Sequence, residues 1–283
     1  MEITRTSGPL GATVDGFDLT SPSRPELNRL ADALYEHRVL TLRDPGGTTP
    51  EQFARFGHEW GDPIMPATVS RHRHPQFQEI IRMTNSPATP PESRDGAMHW
   101  HSDSIYEATP ASVTILYGVE VPRVGNETLF ADCVAAYDAL SGDMKRCIDS
   151  LRVQHDPDGA GKVDFEGEVH GAGSTKPGPV VTHPLALRHP VTGRISLFAF
   201  SSTAVGIVGW EEKEAIDLLI ELKRHVLRDE FRYAARAEEG AILMWDNYSV
   251  IHSATRTVYS DAPGERRVIH RISTKGIPSA CAA

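Results

Sequence analysis

The feature that most constrains the fold is a set of potential metal ligands divided between distant parts of the chain. His101 and Asp103 lie in the run Met98-His99-Trp100-His101-Ser102-Asp103, and His252 follows Asp103 by 149 residues. Residues two apart on a β-strand point to the same side, so His101 and Asp103 could reach one ion together. A fold that uses all three side chains must therefore bring an early segment and a late segment side by side.

Many short strand-like segments with turns between them satisfy this requirement. They favour an antiparallel jelly roll, in which early and late strands are neighbours, over a parallel sheet. No Gly-x-Gly-x-x-Gly loop indicates a dinucleotide. The predicted strands are Ala12–Val14, Val39–Leu42, Ser112–Tyr117, Glu127–Phe130, Val180–Leu187, Ile195–Phe200 and a start of the final strands at Ala241–Trp245; the predicted helices are Pro25–His37, Pro50–Trp60, Ala135–Leu151 and Glu211–Arg228.

Composition narrows the class of protein. The chain has 283 residues, 40% hydrophobic and 24% charged, which suits one large domain spanning 1–283. Its three scattered cysteines argue against a disulfide framework and a zinc–thiolate site. A formal net charge of -9 disfavours nucleic acid as a partner. Without a signal-like start or a long apolar run, we expect a soluble cytoplasmic protein that does not enter a membrane; a homo-oligomer remains open.

Two segments without apolar periodicity are predicted to border a site. Residues 86–96 contain three prolines and lead directly into His99, which indicates an entrance loop. Residues 154–179 are rich in Gly, Asp and His, and such a segment within a compact domain is often a lid or is disordered. We interpret it as a lid.

Two imidazoles and one carboxylate leave coordination positions open on Fe(II), as an oxygenase requires. The same set could hold zinc in a hydrolase or lyase, or mark a jelly-roll binding protein without turnover. His99 would share the face of His101 on a regular strand, so we assign it a supporting or entrance role. His72 and His74 precede the entrance loop and are candidates for substrate contact.

The run Arg266-Arg267-Val268-Ile269-His270-Arg271-Ile272 is the second informative segment. Strand alternation places Arg267, Ile269 and Arg271 on one face. A buried guanidinium needs an anionic partner, which a dicarboxylate co-substrate would supply. The alternative is a solvated edge strand with protective charges.

Taken together, these segments resemble the taurine dioxygenase and 2,4-dichlorophenoxyacetate dioxygenase (TauD/TfdA-like) family of Fe(II)/2-oxoglutarate-dependent oxygenases. The resemblance covers most of the chain from Trp100 to Arg271, with its motifs in the family's order. The motifs are Trp100-His101-Ser102-Asp103, Gly125-Asn126-Glu127-Thr128-Leu129-Phe130-Ala131-Asp132, Ala136-Tyr137-Asp138-Ala139-Leu140-Ser141, Thr182-His183-Pro184, Trp245-Asp246-Asn247 with His252, and Arg266-Arg267-Val268-Ile269-His270-Arg271.

The resemblance implies a mainly β fold with flanking helices and a double-stranded β-helix core, that is, a jelly roll of cupin type. It implies that iron is held by His101, Asp103 and His252, and that Thr128 and Arg267 hold the distal carboxylate of 2-oxoglutarate. Arg271 matches a position that can face an anion on the primary substrate. Asn247 is a candidate for supporting His252, whose second ring nitrogen would need a partner.

Two departures from the family pattern affect these roles. Gly125-Asn126-Glu127-Thr128 replaces the common Gly-Gly-Asp-Thr, and the interval of 15 residues from His252 to Arg267 is longer than in the taurine enzyme. A loop at Tyr259–Glu265 can absorb the excess, which leaves Arg266 as an alternative to Arg267. Asp103 retains the carboxylate that halogenating relatives lack, so halogenation is disfavoured.

The expected activity is a dioxygenase that uses Fe(II), 2-oxoglutarate and O2 to oxidise an unactivated C–H bond of a small organic acid. Arg271 favours an anionic substrate, for example an amino-acid-derived one, and succinate and CO2 would be released. Hydroxylation is the default outcome, and desaturation or rearrangement would use the same site. A hydrolytic water would need no dicarboxylate, so pairing of Thr128 and Arg267 discriminates against the zinc alternative.

Overall fold

Short segments of apolar and β-branched residues form the strands that organise this protein. The computed structural model describes residues 1–43, 45, 47–65, 72–166, 168–170 and 179–281. Its strands are β1 (Glu2–Arg5), β2 (Ala12–Asp15), β3 (Val39–Leu42), β4 (Asp62–Pro63), β5 (Ile81–Thr84), β6 (Ala97–Met98), β7 (Val113–Glu120), β8 (Glu127–Asp132), β9 (Arg152–His155), β10 (Val169–His170), β11 (Val181–Pro184), β12 (Ala186–Arg188), β13 (Ile195–Leu197), β14 (Ala204–Ile207), β15 (Arg232–Arg236), β16 (Ile242–Asp246), β17 (Val250–Ala254) and β18 (Val268–Lys275).

Two sheets supply the framework of the site. The larger has the order β1-β2-β3-β16-β7-β18-β4, with β5 also paired to β18, and the smaller has the order β15-β8-β17. Only the β2–β3 pairing is parallel among the described strands. The predicted antiparallel jelly roll, mainly β with flanking helices, is confirmed.

Strand alternation divides the side chains of the larger sheet between two apolar clusters. Ile115, Met244 and Ile272 point outward and pack with residues of the helices α1 (Arg24–His37) and α2 (Pro50–His58), whereas Ile269 and Trp245 point inward. The inward cluster includes residues of both sheets: Leu10, Val39, Leu116, Phe130, Ala235, Ala237, Leu243, Trp245, Val250 and Ile269. One face of β18 is therefore directed at the interior between the sheets.

Side-chain caps mark the starts of four of the described helices. The helices are α1 (Arg24–His37), α2 (Pro50–His58), α3 (Pro91–Arg94), α4 (Cys133–Asp138), α5 (Gly142–Ile148) and α6 (Glu212–Val226). The four with a side-chain cap are α1, α2, α4 and α5. The predicted capping box of Thr49 with Gln52 is present. The single helix predicted over Ala135–Leu151 is wrong, because Ser141 accepts a hydrogen bond from the Met144 amide and starts a second helix.

The segment interpreted as a lid is partly regular where it is described. It starts within β9, continues through a 3-10 turn at Pro157–Gly159 and reaches β10, which pairs with β6. Residues 167 and 171–178 lie outside the described residues. Within the described chain, no helix combines the length and the apolar character that a membrane span would require.

Candidate active site

The three predicted metal ligands meet where the early and late halves of the chain touch. His101 and His252 form an isolated antiparallel bridge, and each backbone amide donates to the other's carbonyl at 2.9 Å. Their ring centroids are 4.2 Å apart. Asp103 Oδ1 lies 3.7 Å from His101 Nε2, and Asp103 Oδ2 lies 3.8 Å from His252 Nε2. Nitrogen and carboxylate donors this close can share one ion, and His101, Asp103 and His252 form the only such group found among the described residues.

The local geometry of the His-x-Asp pair differs from the regular strand that was expected. His101 occupies a single bridge, and the chain turns directly after it, with Ser104 in the left-handed region at φ 54°. The Asp103 amide donates to Asn247 Oδ1 at 3.3 Å. A turn held by this bond, rather than strand alternation, brings the carboxylate beside the two imidazoles.

The electrostatic state of the three side chains suits a divalent cation. Burial lowers the pKa of His101 to about 3 and that of His252 to about 4, so both imidazoles are neutral near pH 7. Burial alone would raise the pKa of Asp103, but Arg271 and the two imidazoles outweigh it and lower this pKa. The site therefore offers two neutral nitrogen donors and one carboxylate, which fits Fe(II).

Hydrogen bonds orient two of the three predicted ligands. Nδ1 of His101 lies 2.8 Å from the His99 carbonyl, which can only accept, so Nδ1 carries the proton and Nε2 keeps its lone pair. Asp103 Oδ2 accepts a 2.6 Å bond from the Thr114 hydroxyl. Nδ1 of His252 is buried without a hydrogen-bond partner among the described residues.

Asn247 supports the carboxylate rather than the histidine for which it was proposed. Its amide donates to Thr114 Oγ1 at 2.9 Å, and its oxygen accepts bonds from the Trp245 indole and the Asp103 amide. The Trp245 ring packs on His252, with 4.6 Å between ring centroids. The expected support of His252 by Asn247 is therefore wrong, whereas a packing role for Trp245 agrees with the structure.

Thr114 is a residue that sequence reasoning missed. It is fully buried in β7, and its hydroxyl also lies 2.9 Å from Ser273 Oγ. A lone polar residue in the apolar run Val113-Thr114-Ile115-Leu116 was the available signal, because a buried hydroxyl requires a hydrogen-bond partner.

Arg271 reaches the carboxylate of the metal-ligand group. Its Nη2 donates to Asp103 Oδ1 at 2.6 Å, and its Nε donates to Ser273 Oγ at 3.1 Å. The side chain is 25% exposed, so it lies at the edge of the interior rather than deep within it. An anion that approached the metal ligands would meet this guanidinium.

Arg267 shares the inward face of β18 with Arg271 but has a different environment. Its Nε is buried without a hydrogen-bond partner among the described residues. Burial lowers its pKa to about 10, and no carboxylate among the described residues counteracts this effect. A buried guanidinium N–H without a partner is unfavourable, so this position suits a carboxylate from a bound molecule.

The other candidates around Arg267 take distinct positions. Thr128 is buried on β8, opposite Ala254, and shares a face with Phe130, which is opposite His252. Thr128 therefore faces the same interior as His252. Arg266 is exposed and forms a two-point ion pair with Glu120. Its outward direction favours Arg267 over Arg266 as the interior cation.

The remaining histidine candidates separate into two groups. His99 is buried, and its ring centroid lies 4.4 Å from that of His101, which agrees with a supporting position. His74 contacts the ring of His270 on the outer face of β18, and His72 borders an outer cavity of about 370 Å³. Both histidines therefore lie beside the outer face of β18, and their contact with substrate stays a prediction.

Comparison with known proteins agrees with this geometry. The family model described as "Taurine catabolism dioxygenase TauD, TfdA family" matches residues 2–273. The chain belongs to this family. A pentalenolactone F synthase of Streptomyces arenae is 31% identical, over 96% of this chain and 94% of the relative. The α-ketoglutarate-dependent 2,4-dichlorophenoxyacetate dioxygenase of Cupriavidus pinatubonensis is 34% identical, over 88% and 87%.

The solved structures extend the agreement to the fold. A taurine dioxygenase from Burkholderia xenovorans has a TM-score of 0.77 and 27% identity, covering 97% of this chain and 90% of its own. This TauD/TfdA-family protein is accordingly an Fe(II)/2-oxoglutarate-dependent dioxygenase with O2 as its second co-substrate. Neither a zinc hydrolase nor a binding protein without turnover is supported.

Proposed function

We propose that His101, Asp103 and His252 hold Fe(II), that Arg267 and Thr128 bind the distal carboxylate of 2-oxoglutarate, and that Arg271 binds an anionic group of the primary substrate. The reaction oxidises an unactivated C–H bond and releases succinate and CO2. Hydroxylation is the default outcome, and desaturation or rearrangement would need no other site. The unpartnered Nε of Arg267, on the interior face of the strand that also carries Arg271, is the observation that carries this proposal.

The bound iron would supply activation of O2 while 2-oxoglutarate supplies the reducing electrons. The residues of the chain would hold the metal and 2-oxoglutarate and orient them. Asp103 is kept ionised beside Arg271, and the Arg267 guanidinium would hold the far end of the dicarboxylate. Phe130, Trp245 and Ile269 are buried beside the site and limit the entry of water.

The substrate we propose is a small carboxylate or sulfonate, including amino-acid-derived acids. Arg271 has a planar fork that suits two-point binding of either group. The family relatives include dioxygenases named for sulfonate and for phenoxypropionate, both organic anions. The proposed substrate class is thus narrower than small molecules in general.

We further propose that residues 154–179 act as a lid. Lys223 is fully buried in α6 and donates to Glu168 Oε2 at 2.7 Å and to the Val163 carbonyl at 2.9 Å. Beyond this anchor, Val169 pairs with Met98, three residues before His101. If residues 163–170 were cleaved by a protease equally fast with and without Fe(II) and 2-oxoglutarate, the lid proposal would be wrong.

The test of the function begins without oxygen. Fe(II) followed by 2-oxoglutarate should produce the weak visible charge-transfer band of the iron chelate in wild-type protein. Absence of the band in folded protein would contradict the proposed site.

Substrate screening follows, with succinate release measured across carboxylates and sulfonates. Arg271→Ala should raise KM for the best substrate, and Arg271→Lys should restore part of the affinity, because it keeps the charge and loses the fork. An unchanged KM in Arg271→Ala would remove the argument for an anionic substrate.

A further inference from the structure

One buried side chain outside the loop between His252 and Arg267 is hydrogen-bonded to several points of that loop. Asn85 follows β5 and is 2% exposed. Its amide nitrogen donates to the carbonyls of Val258, at 2.6 Å, and Glu265, at 3.0 Å. Its amide oxygen accepts a 2.7 Å bond from the backbone N–H of Arg267. Three points of the loop are therefore tied to a single residue.

The backbone of Asn85 adds two further contacts to the same loop. Its N–H donates to the Arg267 carbonyl at 3.4 Å, and its carbonyl accepts from the Ser260 amide at 3.3 Å. Only an amide side chain offers two donors and an acceptor at the end of one short stem, so no other residue type of this size makes all three side-chain bonds.

The contacts of Asn85 lie at the start of β18, where the pairing of β18 with β7 is irregular. Val268 pairs with Glu120 and Ile269 with Gly118, so the register shifts between these residues. A slip of one residue would turn Arg267 outward and Arg266 inward. On its other edge β18 pairs regularly with β5 from Val268 to Arg271, and the bond from the Arg267 amide to Asn85 continues this pairing to the residue that carries the interior guanidinium.

The outer side of the loop is attached to the entrance segment that follows Asn85. Tyr259 donates a short hydrogen bond to the Asp95 carboxylate. The Arg94 guanidinium lies over the Tyr259 ring, 3.8 Å from its centroid. The loop is thus held at both its base and its tip, and its base sets the direction of Arg267.

We propose that Asn85 is the positioning residue for Arg267 and thereby sets the affinity for 2-oxoglutarate. The inference rests on the proposed binding of the distal carboxylate by Arg267. Asn85 does not touch the co-substrate in this account. It fixes the backbone from which the guanidinium extends, and it compensates for the long interval after His252.

The test compares Asn85→Asp with wild type, Arg267→Ala and Ser260→Ala. Asn85→Asp keeps the shape and one acceptor but replaces both donors with an oxygen facing the carbonyls of Val258 and Glu265. Ser260→Ala is the matched control, since among the described residues Ser260 Oγ bonds within the loop, to Glu265 and the Ala262 amide. The probes are 2-oxoglutarate added to Fe(II)-loaded protein without oxygen, Fe(II) alone, and amide hydrogen exchange.

Asn85→Asp should weaken 2-oxoglutarate binding about tenfold to a hundredfold, because buried polar groups lose their partners. Fe(II) affinity should stay within about threefold of wild type, since the metal ligands keep their partners. Exchange at the Arg267 amide should be slow in wild type before any ligand is added and faster in the variant, because repulsion from the carbonyls of Val258 and Glu265 moves the new carboxylate away from the Arg267 N–H. Ser260→Ala should resemble wild type in all three measurements.

Each contrary result has a separate meaning. Loss of 2-oxoglutarate binding in Arg267→Ala but not in Asn85→Asp would overturn the role of Asn85 alone. Retained binding in Arg267→Ala would overturn the proposed function of Arg267. Equal losses of Fe(II) and 2-oxoglutarate affinity in Asn85→Asp would indicate general destabilisation and overturn the proposal. Fast exchange at the Arg267 amide in the wild-type protein would also overturn the proposal, without the need for a variant.

Discussion

Asp103 is a buried charge and Arg267 a half-buried one in the same proposed site, and their surroundings are opposite. Asp103 already has the Thr114 hydroxyl, the Arg271 guanidinium and an amide contact from Asn247. Arg267 has a backbone held by Asn85 and a guanidinium whose Nε has no partner in the described structure. On the proposed roles, the metal end would be organised before its ligand arrives, whereas the co-substrate end would complete its hydrogen bonds only on binding.

The largest effect is expected when a predicted ligand is removed. His252→Ala should weaken Fe(II) binding by at least about 100-fold, because changes to outer partners alone cost up to that much. Wild type should gain about 2.7 kcal/mol of unfolding free energy at a metal concentration of 100 Kd, and the variant should gain almost nothing. Thermal unfolding with and without Fe(II) under anaerobic conditions measures both.

The matched control is His58→Ala, which removes a largely exposed histidine. It should keep the full stabilisation by metal. If Fe(II) stabilised His252→Ala as much as wild type, the metal would bind elsewhere. The three predicted ligands would then not form a preorganised metal site.

Arg267→Ala should produce the next largest loss. Charge-assisted hydrogen bonds contribute about 1.5 to 3 kcal/mol each, so 2-oxoglutarate should bind about 10 to 150-fold more weakly. Fe(II) affinity should change little. Because the free protein loses an uncompensated buried charge, its unfolding free energy should stay equal or increase. Calorimetric titration measures the affinity for 2-oxoglutarate, and denaturant unfolding measures the free energy of unfolding. A clear fall in that free energy would mean that Arg267 has a structural partner.

Thr114→Val tests the support of Asp103 with a smaller expected effect. Loss of the 2.6 Å hydrogen bond should weaken Fe(II) binding about tenfold, the lower end for outer partners of a metal site. Thr41→Val is the control, as Thr41 is a buried threonine of β3. If both substitutions altered iron affinity equally, the hydroxyl of Thr114 would have no special role.

Arg266→Ala should have the smallest effect. Its ion pair with Glu120 is largely exposed, and such pairs contribute about 0 to 1 kcal/mol to stability. We expect 2-oxoglutarate affinity within about threefold of wild type, since the guanidinium points away from the interior. A loss as large as that of Arg267→Ala would indicate that the two arginines exchange roles.

The sequence predicted those parts of the site that depend on residue type and order. His101, Asp103 and His252 were identified because few side chains bind iron and because a jelly roll joins distant strands. Arg267 and Arg271 were placed on one face by strand alternation. The capping box of Thr49 was equally local, since it depends on residues three apart.

The parts that failed depend on contacts that no local pattern contains. Asn247 supports Asp103 instead of His252 because a turn, absent from the strand model, brings the Asp103 amide to it. Ser141 interrupts a helix that apolar spacing alone would continue. Asn85 is separated from Arg267 by 182 residues, and nothing in its neighbourhood indicates a bond to that loop.

The bridge between His101 and His252 has a consequence for the maturation of the enzyme. Because its two partners are so far apart in sequence, the contact belongs to the slow, non-local class of folding events. A nascent or partly folded chain would hold at most His101 and Asp103, which makes a weak chelate. On the proposed ligand set, tight iron uptake would require both halves of the chain to have docked, so a half-folded protein would not carry an oxygen-reactive metal.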